Sequence, residues 1–186
     1  LFRNMAESLS KKTMFIANTS EYDEKEYYLY ILSLCEKNKN VKIIPGFSLK
    51  FLEDRKNREW LIKVCFDKNI KTILIDVANG YSLRVINCVM KILEESEYSL
   101  QVIFGNIVSH EIFYEIRERY KSIFSKIDSS SFPPIGFRIS IGSGYNCITT
   151  AKTSIGSGTL SSLMKISAPL SKENVILIQD GGIRTT

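Results

Sequence analysis

The chain has 186 residues, 44% of them hydrophobic and 24% charged, enough to bury one core and ordinary for a globular domain. Its 25 basic residues are interspersed with 20 acidic ones, so the net charge of +5 is dispersed and no dense basic run exists to track a nucleic-acid backbone. No apolar run nears the roughly 20 residues of a membrane span and no signal-peptide pattern is visible, so neither nucleic acid nor membrane is expected as a partner.

The cysteines, Cys35, Cys65, Cys88 and Cys147, stand far apart without C-x-x-C spacing. They read as reduced thiols of a cytoplasmic protein rather than a disulfide framework or a zinc cluster. The single histidine, His110, leaves little scope for histidine-rich metal sites or a Cys-His pair.

Short apolar, β-branched runs recur along the chain. They are Thr13–Ala17, Val41–Gly46, Thr72–Val77, Gln101–Asn106, Phe137–Ile141 and Val175–Asp180. Their nearly continuous apolar character predicts strands buried on both faces, as in a parallel sheet covered by helices. Between them lie helical patterns. Ile86, Val89, Met90 and Leu93 fall on one face, as do Ile112, Ile116 and Tyr120. Ser82 and Ser109 are candidate N-caps, and Glu24 and Glu26 follow Asp23 into a first turn. His110 is expected to begin a surface helix. The clusters Lys37–Asn40 and Asp54–Arg58 read as solvated turns and helix faces. Cys35, Cys65 and Cys88 sit inside apolar helical patterns and read as core thiols.

This repeated βα unit specifies an α/β fold. Polar or glycine-containing clusters follow most strands: Asn18-Thr19, Gly46-Phe47-Ser48, Asp76 to Gly80, Gly105-Asn106, Gly142 to Cys147 and Asp180-Gly181-Gly182. Functional residue types at the carboxyl ends of successive strands favour a (β/α)8 TIM barrel over an open doubly wound sheet, whose chemistry gathers at one switch point. The most informative cluster is Gly142-Ser143-Gly144-Tyr145-Asn146-Cys147-Ile148-Thr149, a glycine-flexed loop carrying a thiol and, two residues on, a hydroxyl. Taken singly these clusters have plain structural readings: Asp76 as a helix cap, Gly105-Asn106 and Asp180-Gly181-Gly182 as turns.

Taken together, Asp76-Val77-Ala78-Asn79-Gly80-Tyr81-Ser82, Gly105-Asn106-Ile107-Val108, the cysteine loop and Asp180-Gly181-Gly182-Ile183-Arg184-Thr185 resemble the inosine-5'-monophosphate dehydrogenase and guanosine-5'-monophosphate reductase family, in its order and at about its spacing. The Asp76–Ser82 and Cys147-Ile148-Thr149 segments resemble the reductase branch more closely.

The resemblance implies one barrel domain over residues 1–186, seen incomplete at about strands 2 to 7. Its first and eighth strands would be supplied by a longer native polypeptide. It implies NADPH-dependent reduction of GMP to IMP and ammonia, with Cys147 attacking the purine C2 carbon and Thr149 moving protons to the departing amine. Backbone carbonyls of Gly142, Gly144 and Cys147 would hold a monovalent cation such as K+. Asp180 would accept from ribose hydroxyls, and Gly181 and Gly182 would approach the phosphate. Asp76, Ala78, Asn79, Gly80 and Asn106 would line the nicotinamide side. A homo-oligomer, commonly a tetramer, is implied as well. Two alternatives stay open: an IMP dehydrogenase using the same cysteine with NAD, and a catalytically inactive nucleotide-binding or assembly relative, motivated by departures from the family pattern around Ser143, Tyr145 and Ala151.

Overall fold

The computed structural model describes residues 14–17, 24–37, 42–127, 135–142 and 156–179. Its strands are β1 (Met14–Ala17), β2 (Lys42–Phe47), β3 (Thr72–Asp76), β4 (Gln101–Ile107), β5 (Ile135–Ile139) and β6 (Ile176–Gln179). Helices run between them: α1 (Glu24–Lys37), α2 (Leu49–Glu53), α3 (Arg55–Asp67), α4 (Leu83–Glu95), α5 (Glu111–Arg119), α6 (Lys121–Ile127) and α7 (Thr159–Leu170). All five strand pairings are parallel, and the order in the sheet is the order in the chain. A doubly wound sheet would reverse direction partway, whereas six strands added on one side trace the wall of a (β/α) barrel.

The expected strands are present with small shifts. The largest is at β5, expected from Phe137 and beginning at Ile135, because Ile135 and Gly136 pair with Val102 and Ile103. It also ends earlier than expected, before Ser140, whose φ of 100° takes the backbone out of extended geometry.

Burial on both faces of the sheet divides the core. On the helix-covered face, Ile73, Ile75, Val102, Phe104 and Phe137 join Leu61, Val89, Leu93, Ile112 and Ile116 in one buried cluster. The Phe104 and Phe137 rings meet edge-on, 5.1 Å apart. On the opposite face Ile44, Leu74 and Ile103 form a separate cluster, with Ile178 against it. The expected face of α4 is the buried one, with Ile86, Val89, Met90 and Leu93 all inside. Ile112 and Ile116 of α5 are buried too, with Tyr120 packed against the core from its half-buried position.

Ser82 caps α4 by accepting from the Val85 amide. The start of α5 differs from expectation by one residue. His110 occupies the cap position without a side-chain cap bond, while Ser109 Oγ accepts from the Glu111 amide. Two unanticipated caps fix the paired helices between β2 and β3: Ser48 for α2 and Asp54 for α3.

The expectation that Asp54–Arg58 is a solvated face needs correction at its last residue. Arg58 is 4% exposed. Its Nε and Nη2 donate to the two carboxylate oxygens of Glu95 at 2.8 and 2.7 Å. Its Nη1 donates to the carbonyls of Leu52 and Glu53 at 3.0 and 2.9 Å. One guanidinium thereby satisfies the end of α2 and binds the end of α4, a task that needs a planar fork. Periodicity could not reveal it, because the partner lies 37 residues away. Replacing Arg58 by Ala leaves the Glu95 carboxylate and two helix-end carbonyls without it, and is expected to lower stability by about 3 kcal/mol in urea unfolding. Lys at this position recovers only part of that loss, since a single ammonium cannot span both partners.

Candidate active site

In a parallel sheet all carboxyl ends open on one side, so the described clusters that follow β2, β3 and β4 collect there. Side chains repeat with period two along a strand. Two residues beyond Leu74 and Ile103, on the helix-free face, stand Asp76 and Gly105, which are partners in register. On β5 the same step leads from Gly136 to Arg138. The face therefore changes from apolar to charged within one repeat.

Arg138 Nη1 and Asp76 Oδ1 are 2.5 Å apart, and their side chains are only 18% and 17% exposed. The pair links β3 to β5 across β4, and β4 carries Gly105 between them. A Cβ built at Gly105 would lie 2.3 Å from the Arg138 carbonyl oxygen and 2.8 Å from the Arg138 Cβ. Only glycine fits beneath the ion pair. The register between β4 and β5 also shifts between Phe104 and Ile107, next to this contact.

Backbone bonds weld the β3 loop to the end of β4. The Val77 amide donates to the Gly105 carbonyl at 2.8 Å, the Asn106 amide to Val77 at 2.6 Å, and the Gly80 amide to Asn106 at 2.8 Å. The Gly105–Asn106 peptide bond is cis. Gly80 is buried, and a Cβ there would meet Ile107 Cγ2 at 3.0 Å and Gly105 Cα at 3.1 Å. Asn79 Oδ1 accepts from the Tyr81 amide, and the Tyr81 hydroxyl donates to Glu115 on α5 at 2.7 Å. Asp76, Gly80 and Asn106 are thus brought together, while Ala78 and Asn79 sit exposed on the loop between them. Asp76 does not cap α4; Ser82 does. Gly142, three residues past β5, takes a left-handed φ of 72°, the conformation that favours glycine.

Cys147, Thr149, Gly144, Asp180, Gly181 and Gly182 lie outside the described residues. Sequence reasoning overlooked Arg138, which it read only as part of an apolar strand. The available signal was one charged residue in an otherwise apolar strand, two residues from Gly136.

The remaining thiols are inert by environment. Burial pushes Cys35 and Cys65 up to about 12. Burial, partly offset by the nearby Arg58, pushes Cys88 up to about 11. Cys65 and Cys88 are fully enclosed and Cys35 half-buried, as their place in apolar helical patterns implied.

Known proteins match this chain in sequence and in fold. The IMP dehydrogenase / GMP reductase domain matches residues 33–186. The chain belongs to that family. GMP reductase from Onchocerca volvulus is 27% identical over 180 residues, covering 96% of this chain and 44% of that protein. GMP reductase 1 from Homo sapiens is 28% identical, covering 96% and 46%. Inosine-5'-monophosphate dehydrogenase from Cryptosporidium parvum is 29% identical over 122 residues, covering 66% and 27%. The chain therefore spans less than half the length of these curated relatives. The crystal structure of a cysteine-to-alanine variant of GMP reductase from Trypanosoma brucei superimposes with a TM-score of 0.58 at 23% identity, covering 77% of this chain and 28% of that one. This likeness shows that the family member shares the barrel fold. Among the described residues no helix is long and apolar enough to cross a membrane.

Three outcomes are expected from this geometry. Gly105→Ala forces β4 and β5 apart and separates Asp76 from Arg138, lowering stability by about 2 to 3 kcal/mol in chemical denaturation. Iodoacetamide at about pH 8 leaves Cys35, Cys65 and Cys88 unmodified in the folded protein, which peptide mass mapping checks. Since these thiols hold their protons more tightly folded than unfolded, stability is retained below the ordinary thiol range and falls as pH rises through about 11 to 12.

Proposed function

We propose that the native protein is a GMP reductase, carrying out NADPH-dependent reductive deamination of GMP to IMP and ammonia. The observation that carries this reading is the charged mouth of the barrel wall, Asp76 of β3 with Arg138 of β5 over Gly105-Asn106 of β4, β5 being the strand that precedes Cys147 in the chain, in a chain of this family.

In this reading Cys147, as the thiolate, adds to C2 of the purine of GMP. The carbon–sulfur bond forms as ammonia departs with a proton delivered through Thr149, leaving a covalent thioimidate. NADPH, when bound, supplies a hydride to that carbon. Collapse of the adduct breaks the carbon–sulfur bond and returns the thiolate with IMP.

The residues at the strand ends suit a nicotinamide nucleotide. Asp76 supplies a carboxylate acceptor, Arg138 a guanidinium donor, and the Gly80–Asn106 contact a side-chain-free approach. Ala78 and Asn79 complete that side from the exposed loop. Asp180, with the amides of Gly181 and Gly182, is assigned to the ribose and phosphate of GMP. A monovalent cation such as K+ would be held by the carbonyls of Gly142, Gly144 and Cys147. The left-handed backbone at Gly142 is compatible with a carbonyl turned inward there. The cation would stiffen the segment that carries the thiol. A cytoplasmic homo-oligomer, a tetramer, completes the proposal. The GMP complex of the Trypanosoma brucei enzyme, with a TM-score of 0.59 to this chain, supports a purine nucleotide as ligand.

The match to an IMP dehydrogenase gives one rival activity its basis. Purified full-length protein should oxidise NADPH only when GMP is present, and Cys147→Ala should reduce turnover by at least about 1,000-fold, since in this reading the adduct forms on that thiol. Cys147-dependent reduction of NAD with IMP instead would identify the dehydrogenase. A folded protein inactive with both nucleotides would be a non-catalytic relative.

A further inference from the structure

The stretch that carries Cys147 lies between Gly142 and Gly156, and described residues tie its two flanks together. Ile141 and Ser157 form an isolated antiparallel bridge, the Ser157 amide donating to the Ile141 carbonyl at 3.0 Å. Beside this bridge Ser157 Oγ and Ser162 Oγ are 2.6 Å apart. Ser162 Oγ also donates to the Gly158 carbonyl at 2.9 Å.

A serine hydroxyl has one proton to donate. Ser162 Oγ reaches both the Gly158 carbonyl and Ser157 Oγ, and between the two hydroxyls either oxygen can be the donor. Ser157, Ser162 and the carbonyl of Gly158, the residue at the cap position of α7, thus form one short hydrogen-bonded chain. Gly158 itself has no side chain with which to cap the helix.

Position makes the pair notable. Ser162 shares the buried stripe of α7 with Ile166 and Leu170, and it is fully enclosed. The helical period calls for an apolar residue there. A hydroxyl enclosed in such a stripe must find partners, and here they are the Gly158 carbonyl of its own helix and Ser157, the residue bridged to Ile141 just past β5.

We propose that Ser157 and Ser162 form a hydroxyl clasp that fixes the start of α7 to the end of β5 and thereby positions the Cys147 thiol. Both are positioning residues, acting through the backbone on either side of the cysteine. The functional part of this inference rests on the reading of Cys147 as nucleophile.

Ser157→Ala, Ser162→Ala and the double variant, made in the full-length protein, test it through the alkylation rate of Cys147 by iodoacetamide across about pH 6 to 9. Each single variant should slow alkylation by about fivefold or shift its pH profile, with kcat falling while KM is held. The double variant should be no worse than either single one, because the two hydroxyls act as a unit. Unchanged alkylation in both single variants overturns the clasp, as do losses that multiply in the double variant. A lowered melting temperature with an unaltered alkylation profile overturns it too, since that is a purely structural role. Ser157 is only half-buried, so its alanine variant keeps the test open if Ser162→Ala does not fold. If the profile changes but the alkylated protein still turns over GMP, the clasp stands and the nucleophilic role of Cys147 falls.

Discussion

A charged pair inside a barrel wall needs room, and here the room is the missing side chain of Gly105. Asp76 and Arg138 stand on strands that are not neighbours, and the strand between them would ordinarily fill the gap with a side chain. With glycine there, the carboxylate and guanidinium meet directly, and each stays solvated enough at the strand ends to limit the cost of burying a charge. The same absence lets the β3 loop press onto the end of β4, so that Gly80, Val77 and Asn106 share backbone hydrogen bonds. The ion pair, the loop and the bulged register between β4 and β5 are thus one feature with one cause.

That feature divides the helix-free face of the sheet by function. Ile44, Leu74 and Ile103 close it with apolar packing, and one strand repeat further on it becomes charged and hydrogen-bonded. The apolar layer gives the polar one a rigid base, which a site needs if it is to hold a ligand in a fixed orientation. The outer helices add to that rigidity. Arg58, itself buried, joins the ends of α2 and α4, and on α5 Arg117 pairs with Glu173 beyond α7. Three thiols are absorbed into this packing and held protonated, which separates them chemically from any cysteine asked to act as a nucleophile.

Much of the architecture was legible because buried parallel strands and amphipathic helices leave strong local patterns. Thr72–Asp76 and the apolar face of α4 are of this kind, and so is Ser82, whose cap is a bond to a residue three positions away. Asp76, Gly80 and Asn106 were legible as candidates from the polar clusters that follow the strands. What escaped were residues whose role depends on a distant partner. Arg138 reads as one charge in an apolar strand until Asp76, 62 positions earlier, is set beside it. Arg58 reads as a surface residue until Glu95 and the end of α2 are in place.

The sequence by itself determined the α/β class, the succession of strands and helices and the family, and it singled out the cysteine segment as a candidate for the chemistry. These are properties of local periodicity and of ordered motifs, which do not require coordinates. Tertiary structure alone decided that Gly105 is a spacer rather than a turn, that Asp76 faces an arginine rather than capping a helix, and that Ser157 and Ser162 meet across the start of α7. Each depends on strand register and helix docking, which set distances between residues whose spacing along the chain carries no information about their contact.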